Sequence, residues 1–225
     1  MTQVIACSIS EGILLATDSV ATWFDQTGTM KHFNLKKILA LGSHTAMVSA
    51  GIGIGVEMGV AFQQFLQERK VEGVEEVLRL APPFFTDHYV NFLRRREIDL
   101  IPFRATVHGD SDDLSPWTGV YFILAGYSFK DRQQPYHLYL LGSEERRREI
   151  ITYRTSPIFM IPRSLSMEKK LEVQCQGGSS MSHLLSLCKS FLEKRSVGEE
   201  VGPPFYFATI TKAGLKEVME EEVEG

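Results

Sequence analysis

A chain of 225 residues with 44% hydrophobic content can bury one large core, so a single domain over residues 1–216 with an acidic tail at 217–225 is expected. A net charge of −4 excludes a general nucleic-acid binder, which would carry a basic face. Lys, Arg or Glu interrupts every long apolar run, and no basic region leads into an apolar segment at the start. A cytoplasmic protein that neither spans a membrane nor carries a signal peptide is therefore expected.

Residues 1–22 read as an apolar run, a turn at Ser10-Glu11-Gly12 and a second apolar run, which is a buried β-hairpin. Residues 23–32 are predicted to be a loop around Thr27-Gly28-Thr29. A new run from Phe33 carries Leu35, Ile38, Leu39 and Leu41, and residues 45–50 form a further strand that stops in a glycine-rich segment, 51–55. Four strands are thus predicted before the first helix at 55–70, with Val56, Val60, Phe62, Phe65 and Leu66 turned inward. A second helical region over 74–96 is expected to break or bend at Pro82-Pro83. Its Arg94-Arg95-Arg96 run reads as a phosphate contact or, preferably, as a solvated helix end complementing the C-terminal dipole.

Residues 99–117 are irregular, and His108 to Asp113 is a polar loop that reads as a cation site or, preferably, as a surface insertion. Strands resume at 120–127 and 136–141, with a further pairing at 150–153. A connection at 156–167 leads to a short strand at 171–175. Gly177-Gly178-Ser179-Ser180 opens a helix with Leu184, Leu185, Leu187, Cys188, Phe191 and Leu192 on one face. A strand at 205–211 and a frayed tail from Glu217 complete the chain. Sheets apolar on both faces need covering from both sides, which implies two antiparallel sheets between helical layers. Cys7, Cys175 and Cys188 are too few and too scattered for a disulfide framework or zinc site and read as buried thiols. No metal or cofactor is expected.

Two features set the first hairpin apart. Its second strand ends in Asp18 between Thr17 and Ser19, although carboxylates are rarely buried unless paired. Thr2 follows Met1 directly, so loss of Met1 would place a hydroxyl and a free α-amine on one residue. Such an amine, with a pKa of about 8, can activate its own hydroxyl as a nucleophile. The plain alternative is that Thr2 is simply a small residue after methionine.

Thr2, then Gly12 to Thr17 leading into Asp18-Ser19 and Ala21-Thr22, then Met30-Lys31, Asn34-x-Lys36-Lys37 and Ser49-Ala50-Gly51 resembles the proteasome β-subunit family. The likeness is strongest to the bacterial two-ring ATP-dependent protease of that family, around residues 30–37. It covers about the first seventy residues in register and continues loosely over 120–141 and the helix from Ser179.

The resemblance implies an N-terminal-nucleophile hydrolase: an α+β, four-layer αββα sandwich of two antiparallel sheets, assembled in rings around a chamber. It implies a threonine endopeptidase acting on peptide or unfolded protein, with an ATPase unfoldase as partner. Thr2 matches the nucleophile, Asp18 the buried carboxylate, Lys37 the active-site lysine (Lys36 if the register slips) and Gly51 the oxyanion-stabilising glycine. Ser179 is the best-placed hydroxyl of the altered Gln176-Gly-Gly-Ser179 element. Ala21, Leu35, Leu39, Ser49 and Gly53 match the pocket before the scissile bond. None of the five is charged, which implies a preference for Leu, Phe or Tyr.

Asp18 is expected to hold Lys37 charged, and the ammonium to favour the ionised Thr2 hydroxyl. Without the resemblance, Lys36-Lys37 also reads as a solvated edge-strand pair. The chain departs from the family at Val20 and at Ser196, which stands where an Asp is usual, and it lacks the late Ser-Gly-Gly. These departures leave two alternatives open: a catalytically silent ring subunit, and an amidase acting on a small molecule.

Overall fold

The computed structural model describes residues 2–24, 30–104, 119–143, 148–153, 156–196 and 201–224. Strands β1 (Val4–Ile9) and β2 (Gly12–Thr17) form the expected hairpin, in register from Val4↔Thr17 to Ile9↔Gly12. Gly12 is needed at the turn because a Cβ there would stand 2.5 Å from Ile210 O. Strands β3 (Val20–Phe24) and β4 (Met30–Asn34) follow, then β5 (Ile38–Gly42) and β6 (Thr45–Gly51). Among the described residues six strands therefore precede helix α1 (Ile54–Glu68), where four are expected, because the run from Phe33 divides in two and the predicted loop at 23–32 includes strand residues. Of the residues expected inside α1, Phe62 and Leu66 are buried while Val60 is exposed.

Helix α2 (Val74–Arg104) runs without a break through Pro82-Pro83. Val74, Val77, Ala81, Phe85 and Tyr89 recur at helical spacing and are all buried, so one continuous apolar stripe spans the prolines. Arg94 and Arg95 lie exposed inside the helix, not at its end. The polar loop at His108 to Asp113 falls outside the described residues.

Strands β7 (Val120–Tyr127), β8 (Tyr136–Ser143), β9 (Ile150–Thr152) and β10 (Ile158–Ile161) come next. The strand expected at 171–175 is instead part of helix α3 (Leu165–Gln176). Met167 and Leu171 are buried four residues apart and Cys175 packs against the same core, a helical spacing. Helix α4 (Met181–Arg195) opens on Ser180, whose hydroxyl accepts from the His183 N–H. Strands β11 (Tyr206–Thr211) and β12 (Gly214–Val218) pair, so the sheet crosses the boundary expected at residue 216. A 3-10 turn at Glu220–Glu224 then buries Val223, which ties down a tail expected to fray.

The strands form three antiparallel sheets, ordered β10-β1-β2-β11-β12, β5-β6-β7-β8-β9 and β3-β4. The two sheets expected, stacked as a four-layer αββα sandwich, are therefore corrected to a mixed α/β fold with four helices and three sheets among the described residues. The cause lies at Asp18-Ser19. Thr17 still pairs with Val4 and Tyr206, but Val20 pairs with Asn34. The buried carboxylate takes the backbone N–H of Gln3 and of Val20, which turns the chain out of the first sheet and starts a separate ribbon. Apolar side chains collect in three clusters. One lies between the first sheet and α3–α4, one between the β5–β9 sheet and α1–α2, and one joins residues of both five-stranded sheets.

Candidate active site

The end of β2, the start of β1 and the approach to β5 meet at Asp18. Its side chain is fully buried and Lys37 is nearly so, and Lys37 Nζ donates to Asp18 Oδ1 at 2.8 Å and to Val20 O at 2.8 Å. The backbone N–H of Gln3 donates to the same Oδ1 at 2.9 Å, and that of Val20 to Oδ2 at 3.0 Å. Asp18 N–H in turn donates to Gln3 O at 3.2 Å. Three hydrogen bonds to the carboxylate, with a fourth from the Asp18 N–H, thus fix Asp18 beside the residue that follows Thr2. Thr2 itself is half-buried.

Burial lowers the Lys37 pKa from its ordinary value; the attraction and hydrogen bond of Asp18 push the other way. Asp18 favours the charged lysine but offsets the cost of burying it only in part. Lys36 is not at the site. It is exposed and ion-paired with Glu217 at 2.6 Å, which assigns the inner position to Lys37.

A supporting network lies beside the pair. Ser19 Oγ donates to Asn34 Oδ1 at 3.1 Å and approaches Gly202 O at 3.3 Å, while the Leu35 N–H donates to Ser19 O. Gly202 sits close against Val20: a Cβ on it would lie 3.1 Å from Val20 Cγ2. Asn34 stood in the sequence pattern without a role; here it clamps the Ser19 turn. Ile161 and Pro162, which the sequence places in a connection, also reach the site: Ile161 pairs with Val4, and Gln3 Nε2 donates to Ile161 O and Pro162 O at 3.4 and 3.3 Å. The signal for that strand is its short apolar run Ile158-Phe-Met-Ile161, hidden between Pro157 and Pro162.

Gly51 closes β6 with φ +92°, and a Cβ would overlap Gly119 O. Its lack of a side chain therefore serves an approach within the chain. Ser49 is buried, and its N–H donates to Lys37 O at 3.3 Å, so it adjoins the pair. Ala21 and Leu35 are half-buried near the Ser19 turn. Leu39 is committed to packing: a Cβ on Gly59 of α1 would sit 2.7 Å from its Cδ1. Gly53 lies exposed with open space around it.

Ser179 is not brought to this site. Its hydroxyl donates to Gln174 Oε1 at 2.5 Å, between α3 and α4. Two residues on, the Met181 N–H donates to Glu11 Oε2. Glu11 is in the β1–β2 turn, so Ser179 belongs to the end of the hairpin away from Thr2. Ser196 caps α4 by bonding Glu193 O at 2.7 Å, within its own helix.

The three cysteines are not scattered in space. Cys7 interacts with both Cys175 and Cys188, and both Cys7 and Cys175 have raised pKa values. For Cys175 the largest cause is its hydrogen bond with Cys7, and burial adds to it. Among the described residues no group of three His, Cys, Asp or Glu could hold a metal ion, and no helix is long and apolar enough to cross a membrane.

No protein-family model matches the chain, and no curated protein matches it.

Proposed function

We propose that the chain is a threonine-type endopeptidase of a proteasome-like, self-compartmentalising complex, with Thr2 as nucleophile once Met1 is removed. The observation that carries this reading is the Asp18 carboxylate, shared between Lys37 Nζ and the N–H of Gln3, next to Thr2. A freed Thr2 amine accepts the hydroxyl proton while Oγ attacks the peptide carbonyl carbon. The amine then returns that proton to the departing amine, leaving an ester that water hydrolyses. The Lys37 ammonium favours the developing alkoxide, and a Gly51 N–H would stabilise the oxyanion, a contribution of about 3–4 kcal/mol for donors of this kind. The substrate is peptide or unfolded protein with a large apolar residue before the scissile bond, and the assembly is a cytoplasmic ring with an ATPase unfoldase as partner.

A second reading, a catalytically silent ring subunit, draws support from Ser179 and Ser196, which bond away from Asp18 and Lys37. The deciding experiment is hydrolysis of short fluorogenic peptides by the native protein and by Thr2→Ala. Turnover lost in the variant supports the peptidase. Turnover unchanged in Thr2→Ala overturns it, and Met1-free native protein with no turnover favours the silent subunit.

A further inference from the structure

A cavity lies at the approach to β5, beside Lys36 and Ile38. It encloses about 260 Å3 between the start of β11, the end of β12 and the residues entering β5. Its walls are apolar: Ile38, Phe205 and Val218 all line it and are buried. Its rim is charged, and the Lys36–Glu217 ion pair that forms it is half exposed on both sides, at 43% and 55%. Met219 lines the same space with 65% of its surface exposed, an unbranched thioether able to follow the shape of an occupant.

We propose that this cavity binds a free hydrophobic α-amino acid, with the side chain in the apolar interior, the carboxylate on Lys36 and the ammonium on Glu217. Three observations select that class. The volume admits a side chain of leucine or phenylalanine size. The rim carries both signs of charge, and an exposed ion pair contributes so little in water that its two ends can re-pair with a ligand at small cost. A simple anion would meet Glu217 and Glu220, and a simple cation would meet Lys36, so a neutral zwitterion is the complement. Lys36 and Ile38 flank Lys37 in sequence, which makes Lys37 a reporter of occupancy. The inference does not rest on the peptidase reading.

The test is titration of the full chain with L-phenylalanine, followed by NMR of the Ile38 and Val218 methyl groups and the Lys37 ε-carbon, beside 3-phenylpropionate, phenethylamine and glycine. Expected are saturable shifts with a Kd on the order of 1 mM for L-phenylalanine. Loss of either head-group charge should weaken binding about tenfold or more, and glycine should not bind. Lys36→Met and Glu217→Gln should each weaken L-phenylalanine about tenfold with an unchanged thermal melt. Absence of saturable shifts, or equal binding of the one-charge analogues, overturns the proposal. The analogue series needs no variant, so it stands even where a substitution unfolds the chain.

Discussion

Asp18 and Lys37, nineteen residues apart, form a buried ion pair at 2.8 Å in which the carboxylate also binds two backbone N–H groups. The pair joins the turn out of β2 to the entry of β5, and so couples the first sheet to the β5–β9 sheet. Burying two charges costs several kcal/mol each unless every lone pair and proton is used. Here the carboxylate receives three donors.

Removing one partner leaves the other charge buried. Asp18→Ala and Lys37→Met should each destabilise the fold by about 3–5 kcal/mol. The double variant should be clearly less unstable than the sum of the two. Urea denaturation of the four proteins checks this, and additive losses would mean the pair is not coupled.

The lowered Lys37 pKa sets a pH dependence of stability. Below its folded-state pKa both folded and unfolded lysines are charged, and the full desolvation cost is present. Between that depressed pKa and the ordinary 10.5, the unfolded chain binds more protons, so stability rises with pH. Wild type should therefore gain stability relative to Lys37→Met as pH rises through that window. A difference that stays flat or falls would contradict the desolvation.

Gly51 has a positive φ and no room for a Cβ against Gly119 O. Gly51→Ala should cost about 1–3 kcal/mol or more, through strain and displacement of the 119–120 backbone. Thermal melts of the variant decide it, and a wild-type melting temperature would show that the strand end relaxes freely.

Much of this arrangement was legible in the sequence, because it depends on local signals. The hairpin was marked by two apolar runs around Gly12, and the buried carboxylate by Asp18 between hydroxyls at a strand end. Periodicity does not say which of the two adjacent lysines points inward; the bond to Asp18 selects Lys37. The third sheet was not legible because it arises from a turn made by a side chain hydrogen-bonding to distant backbone. Met167, Leu171 and Cys175 look like loop and strand in sequence because their helical spacing shows only when the segment is taken as a whole. Ser179 was misplaced because matching by motif order says nothing about which end of a hairpin a helix start packs on.

The thiol cluster gives a further check. Cys175 is half-buried, yet its raised pKa keeps it protonated, and the thiolate is the reactive form. Iodoacetamide at pH 8 should alkylate it far more slowly than free cysteine, and Cys7 and Cys188 only after unfolding. Labelling of the folded protein at the rate of free cysteine would contradict the cluster's protection.

The most direct test of Thr2 as nucleophile is intact-mass spectrometry of natively expressed protein treated with a threonine-directed peptide electrophile, with the adduct located by peptide mapping. The expected result is a chain lacking Met1 that carries one adduct on Thr2, and no adduct on Thr2→Ala. A chain that retains Met1, or one labelled equally in Thr2→Ala, would contradict the assignment.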